Sequence, residues 1–248
     1  MGTETKRLRI IAGPNGSGKS SVYRELLKSG HPIFGIYINA DDIELVLRIK
    51  GILSMQDYMI SATDDEIKGS LSLFKKTRET KVNNDDFLVQ DNFLVIKNKS
   101  SIDSYFAQFV TEFVRDKMIT NGIKTITIET VMSHPSKLDI MKYARKKGYR
   151  VYLYFITTDD PKINIERVKV RIEKGGHDVP NDRIIDRYKK ALDNLYEATR
   201  LSDRAFFIDN SGQCHELLAE YNRATNSIDI FDEEIPAWIQ RYFLDKNN

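Results

Sequence analysis

The chain has 248 residues, 41% of them hydrophobic and 30% charged, which is the composition of an ordinary soluble protein with a sizeable core. Its 38 basic and 36 acidic side chains give a net charge of +2, so no overall field favours a nucleic-acid or membrane partner. The single cysteine, Cys214, excludes an internal disulfide, and no apolar run has the length of a signal-peptide core or a membrane span. We therefore expect a cytoplasmic protein without a membrane partner, and the even charge does not favour nucleic acid as a partner.

The first predicted elements are a strand, a glycine-rich loop and a helix. Leu8–Ala12 is an apolar run typical of a buried strand, and Ser21–Lys28 has apolar residues at helical spacing. The segment between them matches the phosphate-loop pattern G-x-x-x-x-G-K-[ST] and consists of Gly13, Pro14, Asn15, Gly16, Ser17, Gly18, Lys19 and Ser20. The glycines allow backbone N–H groups to turn inward, so that these groups and the helix N-terminus face a phosphate.

This pattern assigns chemistry to two side chains. Lys19 is expected to reach the β- and γ-phosphates, and the Ser20 hydroxyl is expected to ligate Mg²⁺. The structural alternative is a glycine-rich turn without a ligand, but the flanking strand and helix favour the phosphate loop. The sequence therefore predicts that the chain binds a nucleoside triphosphate.

Four more apolar runs predict strands, and polar residues follow each of them. These runs are 33–38, 125–128, 151–156 and 205–208, followed by Asn39–Asp42, Glu129–Thr130, Thr157–Asp160 and Asp209–Ser211. Helical patterns separate most of the strands. The alternation predicts an α/β P-loop NTPase fold, with a parallel sheet flanked by helices and ligands at the carboxyl ends of the strands.

Residues from about 51 to 100 are too many for a simple crossover and predict an inserted helix and hairpin region. Residues 87–90 and 93–96 read as a hairpin around Asp91-Asn92, which either covers the substrate cleft or is a structural flap. Ser100 and Asp103 suit a capping box for the next helix, whose apolar stripe from Ile102 to Met118 predicts core. With no linker or repeat, we expect a single domain over residues 1–248.

A second segment, about 162–180, predicts a lid. Arg167 and Arg171 lie four residues apart on one face of a predicted helix that ends at Gly175-Gly176. A new helix follows, for which Asn181 suits the N-cap. The arginines either close over the triphosphate as an internal arginine finger or form salt bridges on a solvated helix, and the adjacent glycine hinge favours the first interpretation.

Two carboxylates are candidates for binding or activating the substrate that accepts the phosphate. Asp41 follows the second strand, where it either accepts a substrate hydroxyl proton or caps the next helix, and Asp42 could exchange roles with it. Glu129 ends the third strand, where it either holds sugar hydroxyls or assists the metal.

Together these residues resemble the zeta-toxin family of P-loop kinases, and most of all the chromosomal zeta-like proteins often labelled predicted ABC-type ATPases. The resemblance runs from about Arg7 to Ser211. It depends on an ordered set of motifs, which are Ala12–Ser20, Ile38–Asp42, Ile128–Ser133, Gly148–Tyr154, Arg171 with 175–180, Arg187-Tyr188, Asp203–Ala205 and Asp209–Ser211.

The resemblance implies a kinase that transfers the γ-phosphate of ATP to UDP-N-acetylglucosamine, with Mg²⁺ as cofactor and an antitoxin protein as a possible partner. It implies that Asp41 is the catalytic aspartate, Lys19 the P-loop lysine, and Arg167 and Arg171 the phosphate-stabilising arginines. The acceptor site is assigned to Glu129, Thr130 and Ser133, while Ser21 and Asn210 join the phosphate loop in the nucleotide site.

The sequence departs from the toxins after Glu129, where Thr130-Val131 replaces their Gly-Thr, so the sugar pocket is expected to differ. Two other functions remain open. An ATP-switched binding module of the ABC type would need an LSGGQ-like signature and an Asp-Glu pair ending a strand, and the sequence has neither. A kinase acting on nucleic-acid ends would need a basic groove, which the even net charge does not favour.

Overall fold

The computed structural model describes residues 5–28, 34–78, 80–175, 178–232 and 234–247. The strands in chain order are β1 Lys6–Ala12, β2 Ile36–Ile38, β3 Ile52–Ser54, β4 Phe87–Gln90, β5 Phe93–Ile96, β6 Thr125–Thr130, β7 Tyr149–Thr157, β8 Arg204–Asp209, β9 Glu216–Asn222 and β10 Ser227–Ile230. The helices are α1 Lys19–Lys28, α2 Ala40–Lys50, α3 Asp64–Phe74, α4 Ser104–Thr120, α5 Ser136–Lys146, α6 Pro161–Glu173, α7 Asn181–Asp193, α8 Leu195–Leu201, α9 Ala237–Ile239 and α10 Asp245–Asn247.

The chain packs as two compact units. The first unit contains Met1–Gly35 and Thr127–Asn248, and the second contains Ile36–Ile126. The insertion expected near residues 51–100 therefore lies inside a longer second unit. Within the described ranges, no helix is long and apolar enough to cross a membrane.

The first unit is built on a mixed sheet with the strand order β10-β9-β8-β7-β1-β6. β1 pairs with β7 and β7 with β8 in parallel, so that Leu8 lies opposite Val151 and Leu153 opposite Ala205. These side chains are almost completely buried, as expected for parallel strands covered on both faces. The carboxyl ends of β1, β7 and β8 therefore lie at one edge of the sheet, and their amino ends lie at the opposite edge.

We predicted a purely parallel sheet, and the structure differs from this prediction at the edge formed by β9 and β10. β9 runs antiparallel to β8, and β10 runs antiparallel to β9. These two strands belong to the C-terminal region, where the sequence pattern predicted no elements. The polar β10 is partly exposed, and the P-loop α/β architecture is confirmed on the other strands.

The second unit contains the predicted hairpin. β4 and β5 pair antiparallel around Asp91 and Asn92, whose φ angles of 50° and 64° are the left-handed values that a two-residue hairpin turn requires. The sequence missed β3, which pairs with β5 to give the order β3-β5-β4. The aromatic side chains Phe106, Phe109 and Phe113 of α4 are buried, which confirms most of its stripe as core, whereas Tyr105 of the same stripe is 50% exposed.

Two predicted helix starts are wrong for local reasons, and one predicted strand is shorter than expected. Ser100 does not cap α4, because it lies in a 3₁₀ turn over Lys99–Ser101, and Asp103 caps the helix by accepting the Phe106 amide at 2.7 Å. Asn181 is the first residue of α7 rather than its cap, which is Pro180. The second strand is limited to Ile36–Ile38, and the predicted start at Ile33 lies outside the described residues.

Candidate active site

The loop between β1 and α1 has the shape of a phosphate cradle. Gly13, Gly16 and Gly18 adopt φ angles of 148°, 77° and 86°, which side-chain-bearing residues rarely adopt. A Cβ atom at Gly13 would overlap the Ile156 carbonyl, and one at Gly16 would overlap the Asn164 backbone. Glycine is therefore required here by close packing as well as by backbone conformation.

Two asparagines fix this loop to the rest of the first unit. Asn210 donates from Nδ2 to the Ser17 carbonyl at 2.8 Å, and its own amide donates to the Thr157 carbonyl at 2.8 Å. Asn164 is fully buried, donates to the Asn15 carbonyl at 2.6 Å, and accepts from the Thr158 hydroxyl. The conformation of the loop is thus set by side chains from the β8–β9 connection and from α6, before any ligand binds.

Lys19 and Ser20 occupy the first turn of α1. Lys19 is 7% exposed, and its Nζ donates to the Pro14 carbonyl at 2.8 Å, which holds the ammonium over the loop. The Ser20 hydroxyl lies 3.1 and 3.0 Å from the two carboxylate oxygens of Glu129, at the end of β6. Burial raises the pKa of the nearby Tyr23, and the negative charge of Glu129 raises it further.

This arrangement fits the phosphates of a nucleotide and a magnesium ion. A helix N-terminus and a glycine loop supply backbone N–H groups for an anion. Ser17 Oγ is buried in the cradle, where no hydrogen-bond partner for it occurs within the described part of the chain. The Ser20 hydroxyl and the Glu129 carboxylate are oxygen ligands of the kind that Mg²⁺ prefers.

The other residues assigned to the acceptor site continue from Glu129. The Thr130 carbonyl accepts the Gly13 amide at 3.3 Å, and its hydroxyl accepts the Met132 amide at 3.3 Å. Met132 has a φ of 60°, so the chain turns sharply just after β6. Ser133 follows this turn and is half-buried. Thr130 therefore borders the phosphate loop directly.

The two predicted lid arginines have different surroundings. Arg167 donates to the carbonyls of Asn210 at 2.6 Å and Gly212 at 3.3 Å, so it supports the β8–β9 connection. Arg171 lies one turn further along α6 and is half-buried. The chain reverses at Gly175, whose φ is 82°, whereas Gly176 and His177 of the predicted hinge lie outside the described residues.

Asp41 belongs to the second unit and is exposed in the first turn of α2. The alternative that Asp41 caps this helix is wrong, because Asn39 is the cap and accepts the Asp41 amide at 3.0 Å. The neighbouring Asp42 is also exposed. Burial raises the pKa of Tyr58 to about 12, and the charges of Asp57 and Asp42 contribute to that rise.

Sequence reasoning missed Asn164 and gave Arg187 no individual role. Arg187 of α7 donates to the Asn15 side chain at 3.2 Å, so α6 and α7 each place a polar side chain on the phosphate loop. No local sequence pattern identifies Asn164, because the sequence of a helix does not distinguish a buried asparagine from a solvent-exposed polar residue. Arg187 was part of a family motif, but only the fold brings it to Asn15, 172 residues away.

Comparisons with known proteins identify the family and the fold of this chain. The family model described as AAA domain matches residues 8–195. An uncharacterized protein of Haemophilus influenzae is 34% identical over 61 residues, which make up 25% of this chain and 44% of that protein. The chain therefore spans less than half the length of this curated relative.

Two solved structures share the architecture at low identity. AvrRxo1-ORF1:-ORF2 with ATP is 12% identical with a TM-score of 0.53, and covers 91% of this chain and 60% of that one. The PezAT chromosomal toxin-antitoxin system of Streptococcus pneumoniae is 16% identical with a TM-score of 0.50, and covers 98% and 80%. These similarities are to the fold alone. Because the family model spans most of the sequence, the chain belongs to the AAA domain family and has its P-loop fold.

Proposed function

We propose that the protein is an ATP-dependent kinase that transfers the γ-phosphate to a hydroxyl group of a small acceptor. The observation that carries the proposal is the fixed phosphate loop, with the buried Lys19 ammonium over it and Ser20 in contact with Glu129. The ordered motifs shared with zeta-toxin kinases support it, as does the ATP complex of a protein with the same fold.

In the proposed reaction, the acceptor oxygen forms a bond to the γ-phosphorus while the bond from that phosphorus to the β-phosphate oxygen breaks, which releases ADP. Asp41 accepts the proton of the acceptor hydroxyl. Lys19 neutralises charge on the phosphate oxygens, and Arg171 of the 162–180 lid is assigned the remaining charge stabilisation. The family resemblance implies the same role for Arg167, whose guanidinium donates here to the Asn210 and Gly212 carbonyls, so for Arg167 we propose a supporting role. Magnesium, held through Ser20, would neutralise charge on the phosphates when bound.

The leading candidate for the acceptor is UDP-N-acetylglucosamine, with Glu129, Thr130 and Ser133 forming its site. A carboxylate that bonds substrate hydroxyls discriminates well, because a ligand lacking them leaves its charge unpaired. The contact between Glu129 and Ser20 also supports the other role considered for Glu129, which is assistance to the metal. The Thr130-Val131 sequence supports a sugar pocket that differs from that of the toxins.

An antitoxin protein is the proposed macromolecular partner. Two proteins of the same fold have been solved as the PezAT toxin-antitoxin system and as an AvrRxo1-ORF1:-ORF2 complex. The test is to co-express the tagged chain with the product of an adjacent reading frame and to purify the chain through its tag. Light scattering then gives the molar mass, which shows whether the two proteins form a complex. A chain that stays monomeric in the presence of that product would refute the partnership.

The experiment that tests the kinase assignment is a screen of acceptors with ATP and Mg²⁺, in which product mass and ADP release are both measured. We expect a mass gain of one phosphate on a sugar nucleotide, and ADP release that depends on the acceptor. Phosphorylation of a different acceptor would overturn the proposed substrate but would still support the kinase activity. ATP-driven dimerisation without any phosphorylated product would favour the ABC-type switch.

A matched pair of variants tests the proposed base. Asp41→Asn keeps the shape of the side chain but cannot accept a proton, so transfer should fall about a hundredfold or more while the ATP affinity stays within about twofold. Asp42→Asn makes the same chemical change at the next position of α2 and should retain activity. The opposite pattern of loss would assign the base to Asp42.

A further inference from the structure

Basic side chains gather at the amino ends of β1, β7 and β8 in the first unit, at the edge of the sheet opposite the phosphate loop. We call this surface the basic edge, and its members are Lys6, Arg7, Lys147, Arg150, Arg204 and Arg223. Lys6 and Arg7 are half-buried, and the other four are exposed. They come from four separate stretches of the sequence. The net charge of the whole chain is close to zero, so it does not indicate this local cluster of basic residues.

The pairing of β1 with β7 assembles one half of the basic edge. Arg7 lies directly opposite Arg150, and Lys6 lies opposite Tyr149. Lys6 Nζ donates to the Lys147 carbonyl at 2.6 Å and sits 5.0 Å from the centre of the Tyr149 ring. The end of α5 is therefore fixed beside the start of β1. Arg7 and Arg150 lie on neighbouring strands about 5 Å apart.

Asp203 assembles the other half. Its carboxylate accepts the Val151 amide at 2.8 Å and the Arg145 guanidinium at 2.9 Å. Its carbonyl accepts the Arg223 amide at 3.0 Å, so the β9–β10 turn lies beside the starts of β7 and β8. Arg223 also donates to the Arg200 carbonyl at 2.9 Å, which brings a further exposed cation to this end.

In the part of the chain that the structure describes, the carboxylates at this edge are already engaged or lie to one side. Asp203 is paired with Arg145, and Glu220 is paired with Arg204. Asp229 is exposed on β10, opposite Glu220 and beyond the arginines. Lys6, Arg7, Lys147, Arg150 and Arg223 have no carboxylate within 4 Å among the described residues, so the basic edge carries a local positive excess.

We propose that the basic edge binds the phosphate backbone of a single-stranded nucleic acid. Three of its five members without a carboxylate partner are arginines, whose planar guanidinium groups bind phosphate oxygens in a bidentate manner. Half-buried aromatic rings lie on the face of the sheet that Arg7, Arg150 and Arg204 share. The Arg9 guanidinium lies 5.1 Å from the Tyr152 ring, and the Arg204 guanidinium lies 5.3 Å from the Phe206 ring. The Phe206 ring is already stacked on Tyr154, so Tyr152 is the half-buried ring of this pair that remains for a base to stack on, which favours a strand with unpaired bases.

An anionic membrane is the other partner that a positive surface can bind, and the structure favours it less. Peripheral membrane binding normally inserts apolar side chains between lipid headgroups. None of the strongly exposed large apolar residues in the described ranges belongs to the basic edge or to the segments beside it, 145–150, 200–204 and 223–226. A membrane would therefore be held by charge alone.

The basic edge is separate from the proposed ATP site. β1 runs for seven residues from Lys6 to Ala12, which puts about 20 Å between this edge and the phosphate loop. The inference therefore does not depend on the proposed function, and nucleic acid bound here would leave the phosphate loop accessible.

The test is fluorescence anisotropy of a labelled single-stranded RNA of about 20 nucleotides, with mixed sequence, in about 50 mM KCl without ATP. The test variant is Lys147→Glu/Arg150→Glu/Arg223→Glu, which avoids the paired Arg145 and Arg204. The matched control is Lys50→Glu/Lys76→Glu/Lys246→Glu, which reverses three exposed lysines outside the basic edge. Circular dichroism melting establishes that both variants are folded.

We expect the test variant to bind RNA at least tenfold more weakly than the wild type, and the control to bind within about threefold of it. The slope of log K against log salt should fall by about 2 in the test variant, because each lost phosphate contact contributes about 0.7. Lys19→Ala should bind RNA like the wild type, since the phosphate loop lies at the other edge.

Three outcomes would overturn the inference. One is the absence of RNA binding by the wild-type protein, and another is equal weakening in the test and control variants. The third is preferential binding to vesicles that contain phosphatidylserine, with RNA binding unchanged in the test variant, which would assign the surface to membranes.

Discussion

The two edges of the sheet in the first unit present positive charge in opposite ways. At the carboxyl edge, an anion is offered backbone N–H groups and the single ammonium of Lys19, which is 7% exposed. At the amino edge, an anion is offered several side chains from separate segments of the chain, such as the exposed Arg150 and Arg223. The first arrangement specifies one small ligand, whereas the second suits a long polyanion of any sequence.

This difference has a consequence for salt dependence. Exposed charges separated by more than about 10 Å are screened at 0.1 M ionic strength, whereas buried charges are screened much less. We expect binding at the basic edge to weaken steeply as salt rises, and binding at the phosphate loop to change little. A substitution at one edge should therefore leave binding at the other edge unchanged.

The largest effect is expected from Lys19→Ala. Without the buried ammonium, charge that builds up on the phosphate oxygens is not neutralised, so the rate of phosphoryl transfer should fall about a thousandfold or more. Lys28→Ala removes a lysine at the other end of α1 and should keep full activity. Steady-state ADP release with the acceptor measures both variants, and a fully active, folded Lys19→Ala protein would contradict the kinase proposal.

The phosphate loop could be predicted from sequence because its determinants are contiguous. Eight successive residues between an apolar run and a helix carry the pattern, and close packing at Gly13 and Gly16 explains why glycine stands there. The buried strands β1, β6, β7 and β8 were also predicted, because apolar runs bounded by polar residues are local signals.

The remaining features depend on contacts between distant parts of the chain. Asn164 bonds the Asn15 carbonyl across 149 residues, and no local pattern distinguishes it from a solvated asparagine. The basic edge is assembled by strand register and by Asp203, so its residues look like scattered charges in sequence. The start of α4 was misplaced because Ser100 and Asp103 both resemble caps, and only the 3₁₀ turn at Ser100 separates them.

A second large effect is expected from Arg171→Ala. If Arg171 meets the γ-phosphate when the 162–180 lid closes, its loss should lower kcat about a hundredfold and raise the KM for ATP much less. RNA binding at the basic edge should not change. Hydrogen exchange of residues 162–175 with and without a non-hydrolysable ATP analogue provides an independent measurement, and equal protection in both states would argue against a lid.

A smaller effect is expected from Glu129→Gln, which keeps the size of the side chain and removes its charge. If the carboxylate positions Ser20 for the metal, the apparent Mg²⁺ affinity should weaken about tenfold or more while the KM for the acceptor stays unchanged. If the carboxylate holds acceptor hydroxyls, the KM for the acceptor should rise and the Mg²⁺ dependence should stay unchanged. Titrations of both ligands with one protein preparation distinguish these roles.

The smallest effect is expected from Arg167→Ala, which makes Arg167 a control for Arg171 on the same helix. Its guanidinium donates to the Asn210 and Gly212 carbonyls, and Asn210 in turn bonds the Ser17 carbonyl in the phosphate loop. Truncation should therefore loosen the loop indirectly, with a loss of about 1–3 kcal/mol in the free energy of unfolding and only a few-fold rise in the KM for ATP.

Two measurements separate this supporting role from direct contact with the phosphates. Thermal unfolding should show a lower Tm for Arg167→Ala, and kcat at saturating ATP should fall no more than a few-fold. Arg167→Lys should restore little of the Tm that Arg167→Ala loses, because a lysine has no planar pair of donors that could reach both carbonyls. A hundredfold fall in kcat with an unchanged Tm would mean instead that Arg167 leaves these carbonyls and contacts the transferred phosphate, as the family resemblance implies. Both lid arginines would then belong to the charge-neutralising set at the carboxyl edge, and the β8–β9 connection would need another support.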